Sequence, residues 1–203
     1  MAPSGNAWIS RQVGLDEAVE IVAKWLRETG HDYHRRALLI PQKGDLRHPS
    51  PAIEQFIANR NVGSSKSMTA RPGGPVLALV PRSELLADAM RLADGNALGV
   101  VEHGEGEVAG WAAATGAIDL STGIPAPDID SDLREAMESV HDAGYNGYSV
   151  RDSFLRKRID EDVRMLVDAG FPFGFVGNYL VGLGAGGHRL EGLEKIYREY
   201  ERP

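Results

Sequence analysis

Cysteine is absent from all 203 residues, which excludes disulfides, thiolate metal sites, iron–sulfur clusters and cysteine nucleophiles. Long apolar runs are absent as well. The stretch from Ala169 to Gly187 carries no charge and has the length of a membrane span, but seven glycines, Pro172 and Asn178 interrupt it. Too little apolar side chain remains to cross a bilayer. Met1 to Gln12 contains no positive segment leading into an apolar core and a small-residue cleavage site, so a cytoplasmic location is expected.

Positive charge is in deficit. Lys and Arg number 22 against 29 Asp and Glu, a formal net charge of −7, which argues against blanket attraction to nucleic acid or an anionic membrane. The deficit is uneven. Residues 1–74 hold ten basic against seven acidic side chains, residues 75–127 two against seven, and residues 128–203 ten against fifteen. A polyanion would have to find a basic face near the amino end.

Hydrophobic residues at 42% and charged residues at 25% are ordinary for a globular domain, and a chain this long buries roughly 70% of its unfolded surface without a covalent staple. Leu15, Ala18, Val19, Val22 and Leu26 form a helical stripe that Gly30 closes. Leu39-Ile40-Pro41 before Leu46 and Leu79-Val80-Pro81 before Leu86 repeat one pattern, a buried strand stopped by proline. Strands are expected at Ala37–Ile40, Val76–Val80, Ala97–Val101 and Ala117–Leu120, with a short strand or loop at Val62–Thr69. Helices are expected after Ser50-Pro51, over Ser83–Asp94 and over Glu107–Thr115. This alternation implies an α/β fold: a layered, mostly parallel, Rossmann-like sheet with flanking helices.

Three regions follow. Residues 1–120 form the α/β domain, 121–131 a Pro/Gly/Asp linker, and 132–203 a helical subdomain. In the last, Asp132 opens a helix with Glu135 in capping-box spacing, Asp152 opens a second, and Leu190 to Tyr200 carries the apolar stripe of the final one. A short helix around Phe175 to Leu183, with Gly174, Gly177 and Gly182 allowing close approach, packs inside the chain or joins a homo-oligomer through 173–187.

In open α/β sheets ligands sit beyond the carboxyl ends of strands. Lys43, Arg82 and Ser83 fall there and would hold a small anionic or phosphorylated ligand, with Lys66 and Arg71 closing over it. Gly63-Ser64-Ser65-Lys66-Ser67 is not a phosphate loop, because aligning on Lys66-Ser67 puts Arg60 and Ser65 where glycines are required. These features favour a non-catalytic binding or assembly module. The alternative is an enzyme acting on a phosphorylated or nucleotide substrate, with His103 as acid/base and Glu102 as its partner or a metal ligand. A second alternative is nucleic-acid binding by the helical part through Arg151, Arg156, Lys157 and Arg158, which Asp160, Glu161 and Asp162 would oppose. No metal site is expected, and nothing points to a particular cofactor.

Val76-Leu77-Ala78-Leu79-Val80-Pro81 with Ser83, Glu84 and Leu85 resembles the strand-to-helix segment that follows the first helix of helicase-type nucleotide-binding domains. The resemblance covers about ten residues and implies a strand leading into a helix. That family's phosphate loop and acidic metal motif have no counterpart here, so it does not imply ATP hydrolysis.

Overall fold

In the computed structural model, residues 5–145, 147–149 and 152–201 are described, and the side chains of Arg11, Lys43, Asp45 and His188 are outside the description. Seven strands make one sheet: β1 (Asn6–Ser10), β2 (Ala37–Ile40), β3 (Val62–Ser64), β4 (Val76–Leu79), β5 (Leu98–Glu102), β6 (Ile118–Asp119) and β7 (Ile124–Pro125). Their order is β3-β2-β4-β5-β1-β6-β7. Every pairing is parallel except β6 with β7. The α/β fold with a mostly parallel sheet is thus the one its alternating pattern implies.

Successive strand residues point to opposite faces, and the sheet divides its apolar side chains accordingly. Ile9, Leu38, Ile40, Leu77, Leu79 and Val101 pack with α1 (Leu15–Thr29) and α2 (Pro51–Phe56). Ala37, Leu39, Val76, Ala78, Leu98 and Val100 pack on the other face with α3 (Ser83–Ala93) and α4 (Ala109–Thr115). Every residue of β2, β4 and β5 is buried. That explains why they read as continuous apolar runs rather than alternating ones.

The second cluster extends without a break into α5 (Ser131–Ala143), α6 (Ser153–Asp168), α7 (Phe173–Gly182) and α8 (Leu190–Tyr200). Helix α7 lies directly against α4, and Gly110 makes the approach close. A Cβ there would stand 1.9 Å from the Phe175 carbonyl oxygen. On the α7 side Gly182 plays the corresponding part, since its Cβ would lie 2.5 Å from that of Ala114. Val176, Tyr179, Leu180 and Val181 are consequently buried inside the chain, so the apolar face of 173–187 is spent on intramolecular packing.

Several local expectations are corrected. β1 lies in the middle of the sheet between β5 and β6, although no strand is expected before Leu15. Its five residues carry only Ala7 and Ile9 as buried apolar side chains, too short an alternation to stand out. Residues 121–131 begin inside a hairpin, where β7 adds antiparallel to β6, before running to α5. The cap of α5 is Asp130, whose carboxylate accepts from the Asp132 N–H at 2.9 Å, and not Asp132. Asp152 does cap α6, accepting from the Phe154 and Leu155 N–H groups at 3.0 Å.

Candidate functional site

Parallel pairing brings the carboxyl ends of β1 to β5 to one edge of the sheet. A crevice opens there where neighbouring strands send their crossovers over opposite faces. The strand order makes two. β2 leads to α2 on one face while its neighbour β4 leads to α3 on the other; β5 leads to α4 while its neighbour β1 leads to α1.

Beside the first crevice, β3, β2 and β4 lie side by side, with Ile40 level with Ser64 and Leu39 level with Ala78. Lys43 begins the 3-10 turn Lys43–Leu46, three residues past the end of β2. Arg82 is exposed and occupies the N-cap position of α3. Lys66 is exposed at the tip of a turn in which Ser67 N–H donates to the Ser64 carbonyl at 2.9 Å. Between β4 and Pro81, Val80 is forced to φ +47° while its N–H donates to the Val101 carbonyl at 2.7 Å. A β-branched residue pays about 1–3 kcal/mol for that conformation. The bend carries the chain off the sheet edge into α3.

The other two residues of the expected set are placed differently. The Ser83 hydroxyl donates to Asn178 Oδ1 at 2.8 Å, and Asn178 Nδ2 donates to the Glu107 carbonyl at 2.6 Å. Ser83 therefore ties α3 to α7 through a buried amide. Asn178 is the one amide in the uncharged stretch from 169 to 187, and nothing in its local pattern marks it as the tie between these elements. Arg71 lies at the opposite edge, beside the amino end of β3. Its N–H donates to Asn61 Oδ1 at 2.7 Å, and its carbonyl accepts from Asn61 Nδ2 at 3.0 Å. The chain after Lys66 runs back along β3, with the Thr69 hydroxyl donating to the Val62 carbonyl at 2.7 Å. Lys66 and Arg71 are thus separated by the length of the strand, roughly 10 Å.

The second crevice is acidic. Glu102 ends β5 opposite Ser10 and is buried at 2% exposure. Its carboxylate accepts from the Gly106 and Val108 N–H groups, both at 3.3 Å. Burial raises its pKa above the usual carboxylate value, and those two N–H bonds oppose the rise. Glu107 accepts from the His103 N–H at 3.2 Å, and Gln12 Nε2 reaches across from the β1 loop to Glu105 at 3.1 Å. The His103 side chain is exposed. Asp16 and Glu17 open α1 at the same place, so its helix dipole, favourable to anions, is offset by fixed negative charge. Among the described residues, no group of three or more His, Asp or Glu is placed to hold a metal ion.

In the helical part, Arg156 is engaged by Asp160 at 3.1 Å and Glu199 at 2.8 Å, and its guanidinium also donates to the Tyr200 hydroxyl. Arg151 lies outside the described residues. No helix among the described residues is long and apolar enough to cross a membrane. The chain matches no family model, no curated protein and no solved structure.

Proposed function

We propose that this chain is a binding module for a phosphate-type anion, seated in the crevice between β2 and β4 and held by Lys43, Arg82 and Lys66. The observation that carries the proposal is the adjacency of β3, β2 and β4 in the sheet. The reading is supported by the three loops that leave these strands at one edge, each carrying a cationic residue in sequence, at a position where α/β sheets offer ligands a crevice. Charge distinguishes this crevice from its neighbour. Glu102, Glu105 and Glu107 surround the ends of β5 and β1, and the same anion would be repelled there.

Ser83 serves the site indirectly. By bonding Asn178 it fixes the start of α3, on which Arg82 sits. Arg71 has no part in this site because it lies at the other edge.

Isothermal titration of the full chain with inorganic pyrophosphate tests the proposal. Charge-assisted bonds contribute about 1.5–3 kcal/mol each, so Lys43→Ala/Arg82→Ala is expected to weaken binding at least tenfold. Equal affinity in the variant and the parent protein would remove the assignment.

A further inference from the structure

Arg71 belongs to a second basic feature, at the amino-terminal edge of the sheet. A groove of about 510 Å³ opens there, lined by Arg35, Arg60 and Arg71 with His34, Asn59 and Thr69 among their neighbours. All three arginines are exposed, and no carboxylate lies within ion-pair distance of any of them among the described residues. The nearest acidic loop contributes Asp94 to the adjoining hollow of about 280 Å³, which Arg35 also borders. In a chain of net charge −7, three guanidinium groups around one groove without a carboxylate partner among the described residues form a concentrated local positive field.

The backbones of Arg60 and Arg71 and the side chain of Arg35 are anchored by hydrogen bonds. Arg71 exchanges two bonds with Asn61. Arg60 adopts the left-handed conformation at φ +56° and donates its N–H to the Ile57 carbonyl at 2.7 Å. Arg35 donates to the Pro72 carbonyl at 3.0 Å. The other polar groups of the groove are occupied in building it. Asn59 Nδ2 donates to the His34 and Arg36 carbonyls, Asn61 Nδ2 to those of Arg35, Arg36 and Arg71, and the Thr69 hydroxyl to Val62. No Phe, Tyr or Trp lines the groove; its one ring is the exposed imidazole of His34. It therefore offers clustered positive charge, with its amides already engaged in building it.

We infer that this groove binds a run of linked phosphates through Arg35, Arg60 and Arg71. The planar guanidinium matches a phosphate edge with two parallel N–H bonds. Three of them on separate segments around one groove match a ligand with several anionic groups in sequence rather than a single carboxylate. The site is independent of the one proposed between β2 and β4, since the sheet separates the two edges.

The test titrates the full chain, at low salt, with tripolyphosphate and separately with a single-stranded oligonucleotide of about 12 residues, a length within the range such grooves cover. Arg60→Gln/Arg71→Gln is expected to weaken binding at least tenfold while Lys43→Ala/Arg82→Ala retains binding at the groove. For the oligonucleotide, losing two phosphate contacts should also reduce the salt slope by about 1.4, at roughly 0.7 per contact. Measured in the Lys43→Ala/Arg82→Ala background, tripolyphosphate binding that Arg60→Gln/Arg71→Gln weakens assigns a phosphoanhydride ligand, and oligonucleotide binding weakened in the same way assigns a phosphodiester chain; both uphold linked phosphates. The single variants Arg60→Gln and Arg71→Gln, each changing one exposed side chain, decide the matter if the double variant does not fold. Failure of both probes to bind, or unchanged affinity in folded variants, overturns the inference.

Discussion

Replacing Gly110 by alanine puts the packing of α7 against α4 to a direct test. Alanine is favoured over glycine in helices, by about 1 kcal/mol in the interior and less in the first turn, where Gly110 is the second residue of α4, so local propensity forecasts no loss of stability. The tertiary contact forecasts the reverse. The added Cβ would sit 1.9 Å from the Phe175 oxygen, 2.8 Å from its carbonyl carbon and 2.9 Å from the Tyr179 nitrogen. All three are backbone atoms, so no rotamer change relieves the overlap. Ordinary contact begins near 3.4 Å, and 3.4 − 1.9 leaves 1.5 Å for α7 to yield. That displacement would loosen Val176, Leu180 and Trp111, all fully buried. Overpacking costs about 1–3 kcal/mol, occasionally more. With backbone on both sides the upper end is expected, a fall in Tm of roughly 6–12 °C at about 2–4 °C per kcal/mol for a chain of this length. Thermal melts followed by circular dichroism measure it. Gly174→Ala is the control: that position has nothing within 4 Å, so its Tm should hold or rise. An unchanged or higher Tm for Gly110→Ala would refute the close-packed α4–α7 contact.

Two further outcomes concern the strand-end edge. Because burial raises the Glu102 pKa in the folded chain, the folded state binds that proton more tightly than the unfolded state does. Its contribution to stability therefore declines as pH rises from the ordinary glutamate value through the raised one. Urea titrations across that window should show the parent protein losing stability relative to Glu102→Gln; a difference that stays flat or moves the other way would contradict the assigned burial effect. Ser83→Ala leaves the buried Asn178 Oδ1 without its donor. It should cost about 1–3 kcal/mol in urea unfolding, with Ser83→Thr recovering part of the loss, and a cost near zero would mean that the bond between α3 and α7 carries no stability.

The elements themselves were legible wherever one physical signal dominated. Apolar runs ended by Pro41 and Pro81 revealed β2 and β4, because a strand buried on both faces needs apolar side chains at every position. The stripe from Leu15 to Leu26 revealed α1. β1 was not legible, since two buried side chains in five residues do not establish a period. The same limit hid the β6–β7 hairpin, where each strand has two residues. Asp128, Asp130 and Asp132 carry the same capping chemistry, and only the backbone geometry singles out Asp130 as the α5 cap.

For the candidate sites, residue type and loop position were readable along the chain, and they marked Lys43, Lys66 and Arg82 as strand-end cations. Spatial grouping was not readable. Arg71 follows Lys66 by five residues yet lies at the other edge, because the intervening chain folds back along β3. It joins Arg35 and Arg60 through the bonds of Asn59 and Asn61 and through the Arg35 side chain on the Pro72 carbonyl. Ser83 likewise acquires its partner from Asn178, 95 residues away, through the packing of α7 on α3 and α4. Composition and periodicity determined the alternating elements and the ordinary globular character, since both are local consequences of burying apolar side chains. Strand order, the two crevices and the division of the cations between opposite edges were decided by tertiary structure, because each depends on which distant segments become neighbours.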